Sequence, residues 1–195
     1  MKFILASSSP RRHNLLQRLH TQFDVILPNV DESITIADGN PESYCTALAE
    51  LKANDISQHY SDELVIGADT IVVLGDEILG KPDDRAAAEY MLQTLSGETH
   101  QVYTGVCLKW GNKDINHLFA ESTSVTFREL DEKDIIYYIN TCPPYDKAGS
   151  YGIQDWSAVF VKEIRGCYDN GVGFPISRFY QELKNLGINL LDTNS

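Results

Sequence analysis

The chain has 195 residues, of which 43% are apolar and 23% charged, proportions that suit a soluble globular protein and exclude a disordered or fibrous one. With 28 acidic against 16 basic side chains the formal charge is −12, a field that repels nucleic-acid backbones and anionic lipid surfaces. Neither a nucleic-acid polymer nor a membrane is therefore expected as a partner, whereas a small anionic ligand remains open, because a cleft can be locally positive inside a negative protein.

The first residues, Met1-Lys2-Phe3-Ile4-Leu5-Ala6, form an apolar run too short for a signal-peptide core, and Arg11-Arg12 follows it where a twin-arginine signal would precede it. No stretch approaches the roughly 20 apolar residues of a membrane span, so a cytoplasmic protein is expected. Cys45, Cys107, Cys142 and Cys167 are widely separated, without zinc-site spacing, and are read as free buried thiols.

Residues 3–6 read as a short buried strand, followed by a Ser-rich turn and a helix over 10–20 with Leu15, Leu16 and Leu19 on its core face. A second strand is expected over 23–27, and a helix opened by Pro41 over 41–60. Residues 64–74 are a β-branched run interrupted by Gly67-Ala68-Asp69-Thr70, and Gly75-Asp76 reads as a turn into 77–79. A helix over 83–95 precedes a long hairpin, 100–110 and 115–127, turned at Gly111-Asn112. Another helix spans 130–140 with Asp131 as its N-cap, then a strand 158–164 and a last helix 175–186. The expected fold is a single α/β domain over 1–195, a mixed twisted β-sheet with helices on both faces.

Ser7-Ser8-Ser9-Pro10-Arg11-Arg12 sits at a strand-to-helix turn, with Pro10 at the first helical position and Ser9 as N-cap. Two cations in a first turn oppose the helix dipole at about 0.3–1 kcal/mol each, so an anion should offset them. Hydroxyls, free amides and two guanidiniums together make a phosphate site; the plainer reading is a well-capped helix with solvated arginines. Asp69, in an apolar stretch, binds a metal, pairs, acts as a base, or is a turn aspartate bonded to backbone. Lys52 on the second helix and Lys81 in Gly80-Lys81-Pro82 are ordinary surface lysines when taken singly. Residues 146–154, polar and Gly-bearing, form a loop of the kind that binds, or a plain connection. Walker, dinucleotide and Gly-x-Ser-x-Gly motifs are absent from the sequence, which disfavours P-loop and acyl-transfer chemistry.

Taken together, these segments resemble the Maf family of nucleoside triphosphate pyrophosphatases. The resemblance runs from Ser7-Ser8-Ser9-Pro10-Arg11-Arg12 through Asp31-Glu32, Lys52, Gly67-Ala68-Asp69-Thr70 and Gly80-Lys81-Pro82. It continues through Tyr103-Thr104-Gly105, Asp146-Lys147-Ala148-Gly149 and Asn170-Gly171-Val172-Gly173-Phe174-Pro175. It implies a nucleotide cleft in a fold related to the inosine triphosphatase-like one. It also implies cleavage of a nucleoside triphosphate between its α and β phosphates, giving monophosphate and pyrophosphate with a divalent cation, Mg²⁺ or Mn²⁺.

Under this resemblance Asp69 matches the catalytic proton acceptor, and Arg12, Thr70 and Gln154 match positions that separate substrate subgroups, here in the dTTP/UTP combination. A subgroup acting on 7-methyl-GTP differs around 151–154. Ser8 joins the substrate contacts, and Arg11, Arg12, Lys52 and Lys81 supply the charge neutralisation a triphosphate needs. Asp69 and Glu32 are the expected metal ligands, since Mg²⁺ is held by one or two carboxylates plus phosphate oxygens and waters. The departures are Ser150 where Ala is common, Asp155 where Gly is common, and Phe174 where Leu is common. The resemblance further implies a homodimer. The competing readings are a nucleotide-sensing regulator of cell division that binds without turnover, and the same reaction on a modified purine nucleotide.

Overall fold

The computed structural model describes residues 2–33 and 39–191. They contain strands β1 (Phe3–Ala6), β2 (Phe23–Val25), β3 (Leu64–Leu74), β4 (Glu77–Leu79), β5 (Thr99–Trp110), β6 (Ile115–Phe127) and β7 (Val161–Gly166). The helices are α1 (Pro10–Gln17), α2 (Pro41–Ser57), α3 (Arg85–Leu95), α4 (Glu132–Thr141), α5 (Tyr168–Val172) and α6 (Ile176–Asn185). The chain divides into two compact units, the first built from residues up to 69, 104–121 and from 173 on, the second from 70–103 and 122–172. Strands β3, β5 and β6 each supply residues to both.

In the first unit the strand order is β2-β1-β3-β5-β6. β1 runs parallel to β2, with Phe3 opposite Phe23, and parallel to β3, with Phe3 opposite Leu64 and Ala6 opposite Gly67. Parallel neighbours need crossovers, which α1 and α2 provide. Phe3, Ile4, Leu5 and Ala6 are all fully buried, so both faces of this strand are covered, as expected of a continuous apolar run in a parallel sheet.

One face packs on α2, where Ile4, Ala6, Val65 and Cys107 meet Ala49, Ala53 and Ile56. The approach is close enough to exclude side chains. A Cβ on Gly67 would lie 2.1 Å from the Ala49 carbonyl oxygen, and one on Gly105 would lie 2.3 Å from the Cys45 carbonyl carbon. The expected interruption of β3 at 67–70 is accordingly not there: the strand is continuous, and Gly67 serves helix–sheet contact instead of a turn.

In the second unit β3, β5, β6 and β7 are neighbours in that order, with β4 beside β3. β3 and β4 pair antiparallel through Gly75 in the left-handed region, the turn expected from the sequence. β7 pairs antiparallel with β6, with an irregularity at Thr126/Phe127.

Element boundaries moved where local chemistry competes with apolar pattern. α1 stops at Gln17 because His20 takes a positive φ, and β2 ends at Val25. The strand expected over 158–164 begins only at Val161; Trp156–Phe160 is a 3₁₀ turn capped by Asp155, since a short apolar run fits a buried helical turn as well as a strand. All four cysteines are free thiols, but only Cys45 and Cys107 are buried, Cys142 and Cys167 being half-buried.

Gly67→Ala should destabilise the protein by about 1–3 kcal/mol or more, because the clash is with helix backbone. Gly80→Ala, which meets nothing within 4 Å, is the control and should be close to neutral. Urea unfolding midpoints compare them, and equal midpoints would contradict the close approach of α2.

Candidate active site

The end of β1 delivers the Ser-rich turn. Ser9 adopts extended backbone as N-cap, its hydroxyl accepting from the Arg12 amide at 3.4 Å with Pro10 in the first turn, as the sequence indicates. The Arg12 guanidinium is met by Ser7, which is buried. Its Oγ accepts from Arg12 Nη1 at 3.2 Å and from the Ser9 amide at 3.2 Å. Arg12 Nε donates to the Gly173 carbonyl at 2.9 Å, so the guanidinium is held from two segments. Ser8, expected among the substrate contacts, is exposed, and Arg11 is half-buried.

Burial lowers the Arg12 pKa, while the negative charges of Asp69 and Glu32 oppose that shift and Arg11 reinforces it. The guanidinium remains charged throughout the accessible pH range.

Val65, Gly67 and Asp69 alternate along β3 and share the face toward α2. The glycine that lets α2 approach is therefore two residues from the carboxylate on the same face. On α2, Lys52 follows Ala49 by one helical turn and is buried. Its Nζ lies 2.6 Å from Asp69 Oδ1 and 3.0 Å from Glu32 Oε2. Lys52 is 7% and Asp69 12% exposed in their side chains, whereas Glu32 is 46% exposed. Two charges so far out of water are tolerable only as a close pair, since removing one partner typically costs 3–5 kcal/mol.

Two carboxylates thus converge on one cation, with Arg12 within their electrostatic reach. Among the described residues no group of three or more His, Cys, Asp or Glu side chains gathers as a metal site. The pair Asp69 and Glu32 could supply hard oxygen donors to a divalent cation whose remaining ligands come from phosphate and water. Cys45 lies near Asp69, and its thiol is pushed up to about 12 by burial and then by the Asp69 charge, which makes it a packing group and not a nucleophile.

The remaining expected residues, Thr70, Lys81 and Gln154, belong to the second unit. Thr70 is half-buried and directly follows Asp69 on β3, while Lys81 and Gln154 are exposed. The Lys81 turn is tied to the Asp146-Lys147-Ala148-Gly149 segment by the Gly149 amide donating to Gly80 O at 3.0 Å. Gly149 sits at φ +64 with a would-be Cβ 2.9 Å from Val72, so only glycine fits. His100, which the sequence reading did not single out, is 1% exposed and bonds Tyr151 OH through Nε2 at 2.7 Å, one step before Gly152.

A mixed sheet carrying a buried carboxylate–ammonium pair beside an arginine-bearing helix start defines the class: an α/β protein with a buried, charged site. A solved structure of the same fold, the Staphylococcus aureus Ham1 protein, matches with a TM-score of 0.56 over 95% of this chain and 100% of its own, at 14% identity. The chain belongs to the Maf family, whose model, described as Maf-like protein, matches residues 2–186. A relative from Bacillus cytotoxicus named dTTP/UTP pyrophosphatase is 50% identical over 94% of each chain. One of the same name from Bacillus cereus is 47% identical over 97% of each.

Burial depresses the His100 pKa to about 4 from 6.5. A base whose folded pKa lies below its unfolded one contributes full stability above pH 6.5 and loses it as pH falls toward 4. The difference is on the order of 3 kcal/mol. His100→Phe should flatten the stability profile in that window, as read from urea midpoints between pH 7 and 4; an unchanged slope would contradict the assignment.

Proposed function

We propose that the protein is a nucleoside triphosphate pyrophosphatase acting on dTTP and UTP, releasing monophosphate and pyrophosphate. The observation that carries this reading is the buried Asp69 clamped by Lys52 at 2.6 Å, in a chain about half identical to relatives bearing that activity in their names. A binder needs the cations but has no use for a carboxylate sequestered in an apolar strand.

In this reading Arg12, Lys52 and Lys81 bind the triphosphate and neutralise charge that develops on the leaving pyrophosphate. Water attacks the α phosphorus, its oxygen bonding there as the bond to the bridging α–β oxygen breaks. Asp69 takes the water's proton as general base. Lys52 holds that carboxylate in place and can turn its charge to a phosphate oxygen. Asp69 and Glu32 would hold a divalent cation, which supplies Lewis-acid polarisation when bound. Gln154, offering both donor and acceptor from an exposed position, reads the base with Thr70. We extend the reading to a homodimer, on the family resemblance.

Asp69→Asn should lower the rate of pyrophosphate release by roughly 10²–10⁴ while triphosphate binding is largely kept. Near-normal turnover in the folded variant would remove Asp69 from the reaction. EDTA should abolish activity and Mg²⁺ or Mn²⁺ restore it; full activity in EDTA would exclude the cation. Wild type should prefer dTTP and UTP over ATP and GTP, and Gln154→Ala should flatten that ranking. Equal use of all four bases would contradict the base assignment.

A further inference from the structure

We infer that Asp155 is a positioning residue for base selection, its carboxylate fixing the backbone from which Gln154 projects; this rests on the reading of Gln154 given above. Residues 151–157 form a closed frame. The Gly152 amide donates to Ser157 Oγ at 3.1 Å, and the Asp155 amide donates to the Gly152 carbonyl at 2.9 Å. The Ser157 hydroxyl lies 2.8 Å from Gly152 O and 2.7 Å from Asp155 Oδ1, sharing its proton between them. Both polar backbone groups of Gly152 are thus engaged.

Asp155 uses its two oxygens for different tasks. Oδ1 accepts from the Ser157 amide at 2.9 Å, which caps the following 3₁₀ turn. A cap needs nothing further. Oδ2 accepts from Tyr138 OH at 3.2 Å and lies 3.7 Å from Lys147 Nζ. It also stands so near the chain that a Cβ on Gly152 would be 2.9 Å from it.

Tyr138 is fully buried and packs against Phe160 at 5.5 Å and Trp156 at 6.2 Å between ring centroids. Burial and the Asp155 charge hold its hydroxyl in the protonated, donating form. The carboxylate therefore ties the residue after Gln154 to a rigid aromatic cluster, while His100 ties Tyr151 on the other side at 2.7 Å. Gln154 itself is exposed between two fixed points. Hydrogen-bond readout of a base depends on such placement, since a shift of about 1 Å can cost roughly a hundredfold.

The test measures kcat and KM for dTTP, UTP, ATP and GTP by pyrophosphate release with the full-length protein. For Asp155→Ala the ratio of kcat/KM for dTTP over GTP should fall about tenfold to a hundredfold, chiefly through a raised KM for dTTP. Tyr138→Phe should shift the ratio the same way by less, and Asp155→Asn, whose single amide oxygen can still cap Ser157 while its NH2 group can only donate to the Tyr138 oxygen, should recover part of it. In a Gln154→Ala background, Asp155→Ala should change the ratio no further. An unchanged ratio, an equal loss on all four nucleotides, or additive effects in the double variant would overturn the inference. If Asp155→Ala is unfolded by circular dichroism, Tyr138→Phe decides by the same ratio. Wild type that shows no pyrophosphate release, or no base preference, would overturn the functional reading and this inference together, whereas failure of the variants alone overturns only the inference.

Discussion

The contact between Lys52 and Asp69 imposes its requirements on the surrounding first unit. A carboxylate in the middle of an apolar strand costs several kcal/mol unless a cation meets it with good geometry, and the cation here comes from a helix. That helix must lie against the strand closely enough for a lysine to reach across. The chain achieves this with Gly67 and Gly105 under α2 and with Ala49 and Ala53 on the helix face. Small residues and the ion pair are two aspects of one packing solution.

The electrostatics of the site follow from the same placement. A protein with a net charge of −12 brings a lysine and an arginine to two carboxylates. It starts α1 with Arg11 and Arg12 against the positive end of the helix dipole, with no acidic residue in the first turn. Ser7 and the Gly173 carbonyl fix Arg12 in orientation, so its planar fork is preorganised, which a lysine at the same position would not be. In the proposed function a triphosphate supplies the negative charge that this arrangement lacks.

Much of this was legible in the residues, unevenly. The Ser9 cap and Pro10 helix start were readable because capping is local chemistry, settled within four residues. Gly67 and Asp69 looked like a turn because glycine and aspartate usually mark one; only the packing of α2, a contact distant in sequence, explains the glycine in a continuous strand. Lys52 taken alone reads as a solvated lysine, and its burial depends on partners 17 and 20 residues away along the chain. The bond between Ser7 and the Arg12 guanidinium was not legible, because it depends on how the turn after β1 folds back on α1. The 3₁₀ turn at Trp156–Phe160 was hidden by an apolar run, although its cap, Asp155 accepting from the Ser157 amide, is local; the Tyr138 bond to the other Asp155 oxygen comes from α4.

The central claim is that the Lys52, Glu32 and Asp69 cluster directs water to the α phosphorus of a nucleoside triphosphate. Turnover of dTTP in ¹⁸O-labelled water, with the products separated and weighed by mass spectrometry, tests it most directly. The account predicts one labelled oxygen in the monophosphate and none in the pyrophosphate. Label in the pyrophosphate, or labelled orthophosphate with a nucleoside diphosphate, would contradict it.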